Sequence, residues 1–334
     1  MKLGNALGIG LLGALPWVAG ANGPALYGKI NVSLENVDFE GASLAGAGDN
    51  DQWELNSNAS RLGIKGDFDL EVGGLKALYL AEYGIDVDGD DDDTFSKRNI
   101  YAGLAGAFGT LRAGNIDSPL KSIEGKVDQF NDLYGDIDHF LGGQTRNKNS
   151  VQYLSPTLLG GLSVHGAFSP GEQEDTDDNG EPDDDLADVV SLALAWQRDG
   201  FYAALAYEKD QAARRAVDGF RRADILRAVT TYRWRVLELG ALYQQARDTA
   251  PGSDLEDRGY LISAAWHVDE RFTLKAQGGE NRGEESDEKL TLWALGADYS
   301  LGRNTVAYLY LSNLERDRAG AEDRAVGTGL AFKF

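Results

Sequence analysis

From residue 25 to its last residue, the chain alternates apolar and polar side chains with a period of two. In Leu26-Tyr-Gly-Lys-Ile-Asn-Val-Ser-Leu-Glu35, one parity holds Leu26, Ile30, Val32 and Leu34, and the other holds Lys29, Asn31, Ser33 and Glu35. A strand turns successive side chains to opposite faces, so each such segment has one oily and one wet side. Residues 60–70 repeat the pattern, with Leu62, Ile64 and Phe68 opposed to Arg61, Lys65 and Asp67. We read sixteen segments, near 25–35, 53–70, 74–86, 95–106, 108–115, 146–156, 161–169, 188–198, 200–208, 223–235, 236–246, 258–268, 271–280, 288–300, 303–312 and 323–334.

An even number of strands of about ten residues fits a transmembrane barrel, with one face on lipid and the other on water. The alternative is a set of soluble sandwiches. Three observations favour the barrel. The connections alternate between short (70–74, 106–108, 156–161, 198–200, 268–271, 300–303) and long (36–52, 87–94, 115–145, 170–187, 209–222), as short periplasmic turns and long outer loops do. Aromatics flank the short turns: Phe68, Phe108, Trp196, Phe201, Trp234, Trp266, Phe272, Tyr299 and Phe334, where an interfacial girdle would lie. Only 7 prolines and no repeated unit argue against linked domains. A closed barrel also leaves no unpaired strand edge.

Residues 1–21 read as an export signal. Lys2 is the basic start, Leu3 to Val18 is mostly apolar, and Ala19-Gly20-Ala21 has the small-x-small form of a cleavage site. No later run of 18 apolar residues suggests a transmembrane helix. The chain has 334 residues, a formal charge of −22 and no Cys. The charge argues against nucleic acid as a partner. The missing Cys removes disulfides, thiolate metal sites and Cys nucleophiles.

The longest connection, 115–145, has helical logic in its middle. Ser118 suits an N-cap and Pro119 the first helical position. Ile123, Val127, Phe130 and Tyr134 then fall on one helical face, and Glu124, Asp128 and Asp132 on an adjacent one. Gly125 shortens the expected helix to one or two turns. Two placements fit these residues: an apolar face on the inner wall with carboxylates in a pore, or an external loop with a solvated acidic face.

Several segments together resemble the trimeric general diffusion porins of Gram-negative outer membranes. They are Leu26–Leu34, Ser60-Arg-Leu-Gly-Ile-Lys-Gly66, Gly74-Leu-Lys-Ala77 with Glu82-Tyr-Gly84, Arg98-Asn-Ile-Tyr-Ala-Gly-Leu104, Phe108-Gly-Thr-Leu-Arg-Ala-Gly114, Arg146-Asn-Lys-Asn-Ser-Val-Gln-Tyr153 and the terminal Phe334. Their order spans essentially the whole mature chain. The resemblance implies a sixteen-stranded antiparallel barrel, a homotrimer, a third outer loop folded into the lumen, and a terminal aromatic read by the outer-membrane assembly machinery. It also implies wall arginines at Arg61, Arg98 and Arg146, to which strand parity adds Arg112. Carboxylates on the loop facing guanidiniums on the wall would make a transverse field that sorts ions and orients polar solutes. The third loop departs from the family's best-known pattern, lacking a Pro-Glu-Phe-Gly-Gly run and carrying Lys121 and Lys126 among the acids.

The outer loops are acidic. Residues 86–93 hold six Asp and 170–187 hold nine Asp or Glu, with no base in either. Asp175, Asp177 and Asn179 resemble the start of a Ca²⁺ loop, but the twelfth position, which an EF-hand fills with Glu, is Leu186. Diffuse Ca²⁺ or Mg²⁺ bridging to lipopolysaccharide fits this charge better than a specific site. By contrast, 209–222 is basic and suits lipid phosphates or the pore mouth. The acidic mouth predicts mild cation preference. A hydrolase is disfavoured, because His139, His165 and His267 have no nucleophile motif beside them. A substrate-specific channel of the same fold is the nearest rival, and an exported cation-binding β protein is a weaker one. Transport of small hydrophilic solutes and ions by diffusion needs no cofactor.

Overall fold

The fold is that of a computed structural model, which describes residues 23–41, 50–90, 92–171, 186–318 and 320–334. The expected export signal at 1–21 and the candidate Ca²⁺ ligands Asp175, Asp177 and Asn179 lie outside the described residues. The strands are β1 (Ala25–Glu40), β2 (Asn50–Ser57), β3 (Arg61–Asp69), β4 (Lys76–Ile85), β5 (Phe95–Gly106), β6 (Gly109–Asp117), β7 (Arg146–Leu154), β8 (Leu162–Ser169) and β9 (Val189–Arg198). They continue as β10 (Phe201–Ala212), β11 (Arg222–Trp234), β12 (Leu237–Asp248), β13 (Glu256–His267), β14 (Phe272–Gly283), β15 (Lys289–Ser300), β16 (Thr305–Arg316) and β17 (Ala321–Lys333). Every neighbour is antiparallel, and β17 returns to pair with β1 from Lys29↔Lys333 to Glu40↔Glu322. The sheet is closed.

Seventeen strands make sixteen staves, because β2 and β3 are two halves of one. Both pair with β1, as Leu34↔Leu55 and Leu26↔Ile64. The expected single strand 53–70 is therefore interrupted at 58–60. Trp53 and Leu55 point outward at odd positions, whereas Ile64 and Phe68 point outward at even ones. An odd-length break must absorb that change of parity. Ala59 takes φ +48 there, and Asn58 N and the Ser60 hydroxyl both bond to Asn31 O.

The alternation assigns the two faces. On β13, Ile262 is 63% exposed between Leu261 at 0% and Ser263 at 7%. Leu205, Leu239, Leu309 and Val326 are outward in the same way on their strands. Of the aromatics beside the short turns, all but Phe272 are exposed. The outer face is thus a continuous apolar belt with aromatics at one rim, which is stable against hydrocarbon. Among the described residues no helix is long and apolar enough to cross a membrane, so strands provide the crossing.

The well-packed apolar core lies inside the barrel, where the connection 118–145 meets the wall. Leu120, Ile123, Val127, Ile137, Phe140 and Leu141 pack on inward residues of β10 to β15, among them Tyr202, Ile225, Leu242, Leu261 and Leu292. Phe130 and Leu133 pack on Val37, Phe39, Tyr308 and Tyr310 from the closing strands. Burying this apolar face stabilises the loop on the wall opposite the belt.

Candidate functional site

The 118–145 loop starts as its sequence demands. The Ser118 hydroxyl accepts from Lys121 N at 3.1 Å, Pro119 occupies the first turn, and helix α1 (Pro119–Ser122) follows. It is a single turn. Gly125 takes φ +63 and Asp132 takes φ +68, so the four-residue periodicity beyond Ser122 is not helical. A second short turn at 137–139 is capped by Asp136, whose carboxylate accepts from Asp138 N at 2.7 Å. Ile123, Val127 and Phe130 nevertheless all bury on the wall, and Tyr134 is partly buried with its hydroxyl donating to Glu54 at 2.9 Å.

The wall holds the loop through buried polar groups. Gln277 on β14 donates to Asp128 Oδ1 at 2.9 Å and to Gly135 O at 2.6 Å, and accepts from Gln129 N at 2.7 Å. Asn281 donates to Phe140 O at 2.9 Å and Tyr202 to Ile123 O at 2.8 Å. Arg227 on β11, fully buried, donates to Gly142 O at 2.7 Å while Gln244 accepts from the same guanidinium. Ser118 donates to Glu208 on β10 at 2.9 Å.

The three expected loop acids have separate fates. Asp128 turns into the loop: its oxygens accept from Phe130 N at 2.8 Å, Ile137 N at 3.2 Å and Gln277. It braces the loop and lines neither cavity described below. Burial, followed by the nearby charges of Asp136 and Glu124, holds its pKa well above the usual carboxylate range. Glu124 lines the inner cavity, and burial first, then Asp136, pushes its pKa up to about 7. Asp132 accepts from Lys29 Nζ on β1 at 2.8 Å and lines both cavities.

The wall arginines pair chiefly with wall acids. Arg98 and Arg61 flank Glu82 at 2.9 Å and 3.8 Å, and Tyr27 donates to the same carboxylate at 2.8 Å. A register shift in the β4–β5 pairing, between Ala81 and Tyr83, lets both Arg98 and Asn99 reach inward. Arg112 donates to Gln152 at 2.8 Å and lies 4.8 Å from the centre of the Tyr101 ring. Arg146 is 2.9 Å from Asp117, which Lys121 also approaches at 3.7 Å. Arg61, Arg98 and Arg112 line the inner cavity, whereas Arg146 reaches it only through its pairing with the lining residue Asp117. The sequence reading missed Glu82 and Asp117 as partners; Glu82 shares its strand's inward parity, whereas Asp117 shares the outward parity of Leu111 and reaches Arg146 only past the register shift between Gly114 and Ile116. It also missed Lys29 as the partner of Asp132. His165 is a wall residue 3.0 Å from Gln152, and His267 pairs with Thr273.

Two cavities follow one another along the lumen and share Asp132. The inner one, about 290 Å³, mixes Arg61, Lys65, Arg98, Arg112 and Lys121 with Glu82, Asp117, Glu124 and Asp132. The outer one, about 550 Å³, is lined by Glu35, Asp88, Asp132, Asp136, Asp138 and Asp323 with Arg215. Charges of both signs are thus held at fixed places along a path between the loop and the wall.

The family model described as Gram-negative porin matches residues 9–319. Among curated relatives, the major outer membrane protein P.IB of Neisseria gonorrhoeae is 30% identical over 205 residues, 58% of this chain and 54% of that protein. The chain thus spans about half the length of that relative. P.IB of Neisseria sicca is 22% identical over 97% of this chain and 98% of that protein. Of solved structures, the anion-selective porin from Comamonas acidovorans aligns with a TM-score of 0.76 at 21% identity, covering 93% of this chain and 99% of that one. Salmonella typhi OmpF, in complex with daunomycin, aligns at 0.70 and 18%, covering 93% and 97%. These structural likenesses are of fold. The closed sixteen-stave barrel, its apolar outer belt and the match along most of its length agree: the chain belongs to the Gram-negative porin family and is a β-barrel of the outer membrane.

Proposed function

We propose that the protein is a passive diffusion pore for ions and small hydrophilic solutes, with the 118–145 loop as its constriction. The observation that carries this reading is the pair of charge-lined cavities that share Asp132 between loop and wall. A lumen meant only to be filled would place apolar side chains there. Within the inner cavity Arg61, Arg98, Lys121, Glu82, Asp117 and Asp132 are held in ion pairs and Arg112 by Gln152, so a passing solute meets a rigid dipolar surface. Arg61, Arg98, Arg112 and Asp132 line that surface, Glu124 adds a carboxylate that titrates, and Arg146 and Asp128 brace it. The acidic outer cavity concentrates cations and supports a mild cation preference. The active unit is a homotrimer held in lipid and lipopolysaccharide, its outer acids bridged by Ca²⁺ or Mg²⁺.

The test is planar-bilayer recording of the purified protein. Ohmic steps that come in groups of three, with a reversal potential favouring cations at low salt, support the reading. Asp132→Asn should lower that cation preference by about twofold, since it removes one fixed charge shared by both cavities. A protein that stays monodisperse without detergent and passes no current would overturn the proposal.

A further inference from the structure

The basic segment expected at the rim folds inward. The connection 213–221 leaves β10, reaches past its own neighbours and buries Ala213, Val217 and Phe220 in the same apolar cluster as Ile137, Phe140 and Leu141 of the constriction loop. Asp257 on β13 accepts from Val217 N and Asp218 N. Asp218 in turn accepts from Glu285 N at 3.0 Å and Ser286 N at 3.1 Å, so the segment is tied across to the loop after β14. Asn281 bonds to Phe140 O and to Arg215 O, joining the two inward loops at one wall residue.

This path carries Arg215 into the outer cavity. Its Nε donates to Asp138 O at 2.7 Å, and no carboxylate pairs with Arg215 among the described residues. Arg215 is the one Lys or Arg among the residues lining that cavity; the acids there include Glu35, Asp88 and Asp323 from other elements. His139 adds no positive charge at neutral pH, because burial and then Arg215 lower its pKa.

We propose that Arg215 is a specificity-determining residue of an outer filter that solutes meet before the constriction. It opposes the acids of the outer cavity, limits the cation preference they impose, and gives that cavity a charge separation that favours dipolar ions carrying both an ammonium and a carboxylate. This proposal rests on the diffusion-pore reading.

The chain has no Cys, so a single introduced thiol can be labelled uniquely. Wild type, Arg215→Gln, Arg215→Lys and Arg215→Cys would be compared by reversal potential in a potassium chloride gradient at low and at 1 M salt. Arg215→Cys would be read before and after reaction with sulfonatoethyl or aminoethyl methanethiosulfonate. At low salt, Arg215→Gln should raise the cation-to-anion permeability ratio about twofold and Arg215→Lys should stay near wild type. The sulfonate adduct should raise the ratio further and the ammonium adduct should restore it, with all differences shrinking at 1 M salt. If Gln and Lys variants shift alike, or both adducts act alike, Arg215 is only a brace between loops and the proposal fails. Variants that conduct with an unchanged ratio overturn it while leaving the pore reading intact. A wild type that passes no current overturns both.

Discussion

Glu124, Asp128 and Asp136 show how little a carboxylate's sequence position says about its protonation. All three lie in the 118–145 loop, and burial is the first cause that raises each of them, Glu124 to about 7 and Asp136 to about 6. An acid whose pKa is higher in the folded state than in the unfolded chain stabilises the fold fully below about 4, its unfolded value, and loses that contribution as pH rises through the folded value. Lowering the pH from 8 to 5 should therefore add protons to the loop, seat it more firmly and weaken the cation preference of the current. Reversal potentials across that range should change between about pH 6 and pH 7, and Glu124→Gln should remove the upper part of the change. A midpoint near 4 would contradict the assignment. The four-residue spacing of Glu124, Asp128 and Asp132 put the three acids on one face of an expected helix. It could not tell that Asp128 turns back into the loop, because left-handed residues at Gly125 and Asp132 break the helix that the spacing assumes.

The 118–145 loop is an element with little regular structure of its own. One helical turn and one 3-10 turn are regular, and the rest is held by wall side chains that satisfy its backbone. Arg227 is the largest of these anchors. Replacing it by Met keeps the bulk but leaves Gln244 Oε1 without its donor, leaves Gly142 O only the 3.2 Å bond from Gln244 Nε2, and removes the positive charge near Glu124 and Glu208. Arg227→Met should cost the loop's seating about 2–4 kcal/mol. Faster amide exchange over residues 140–144 and noisier open-channel current would register that loss, and unchanged exchange would refute it. Strands were the most legible elements, since a period of two is local. The break at 58–60 was also written in the chain, in the parity change between Leu55 and Leu62, although the segment reads at first as one strand.

At the scale of the barrel, closure rests on the β1–β17 ladder from Lys29↔Lys333 to Glu40↔Glu322, which the chain ends extend by two bonds. Gly28 N donates to Phe334 O at 3.0 Å and Phe334 N to Gly28 O at 3.1 Å. The Phe334 ring lies over Gly28 so closely that a Cβ there would come within 2.4 Å of the ring, so a larger residue would have to displace it. Deleting Phe334 removes both bonds, at about 1 kcal/mol each, and takes away the outward terminal aromatic that the assembly machinery is proposed to read. The heat-modifiable fraction on unheated gels and the urea midpoint of the folded protein should both fall. Gly28→Val should lower them too, with the terminus intact. If deletion leaves both measures at wild-type values, the terminal strand closes the barrel without help from its last residue.

Strand number, the two faces and the membrane setting were carried by the chain's local pattern, because alternation and turn spacing act between near neighbours. The partners of the lumen charges were not. Asp128 meets Gln277 across 149 residues and Lys29 meets Asp132 across 103, so each pairing exists only once the sheet has closed and the loop has settled on it. The inward course of 213–221 belongs to the same class: its arginines look like a rim patch until the apolar side chains between them pack inside the barrel in the same cluster as the 118–145 loop.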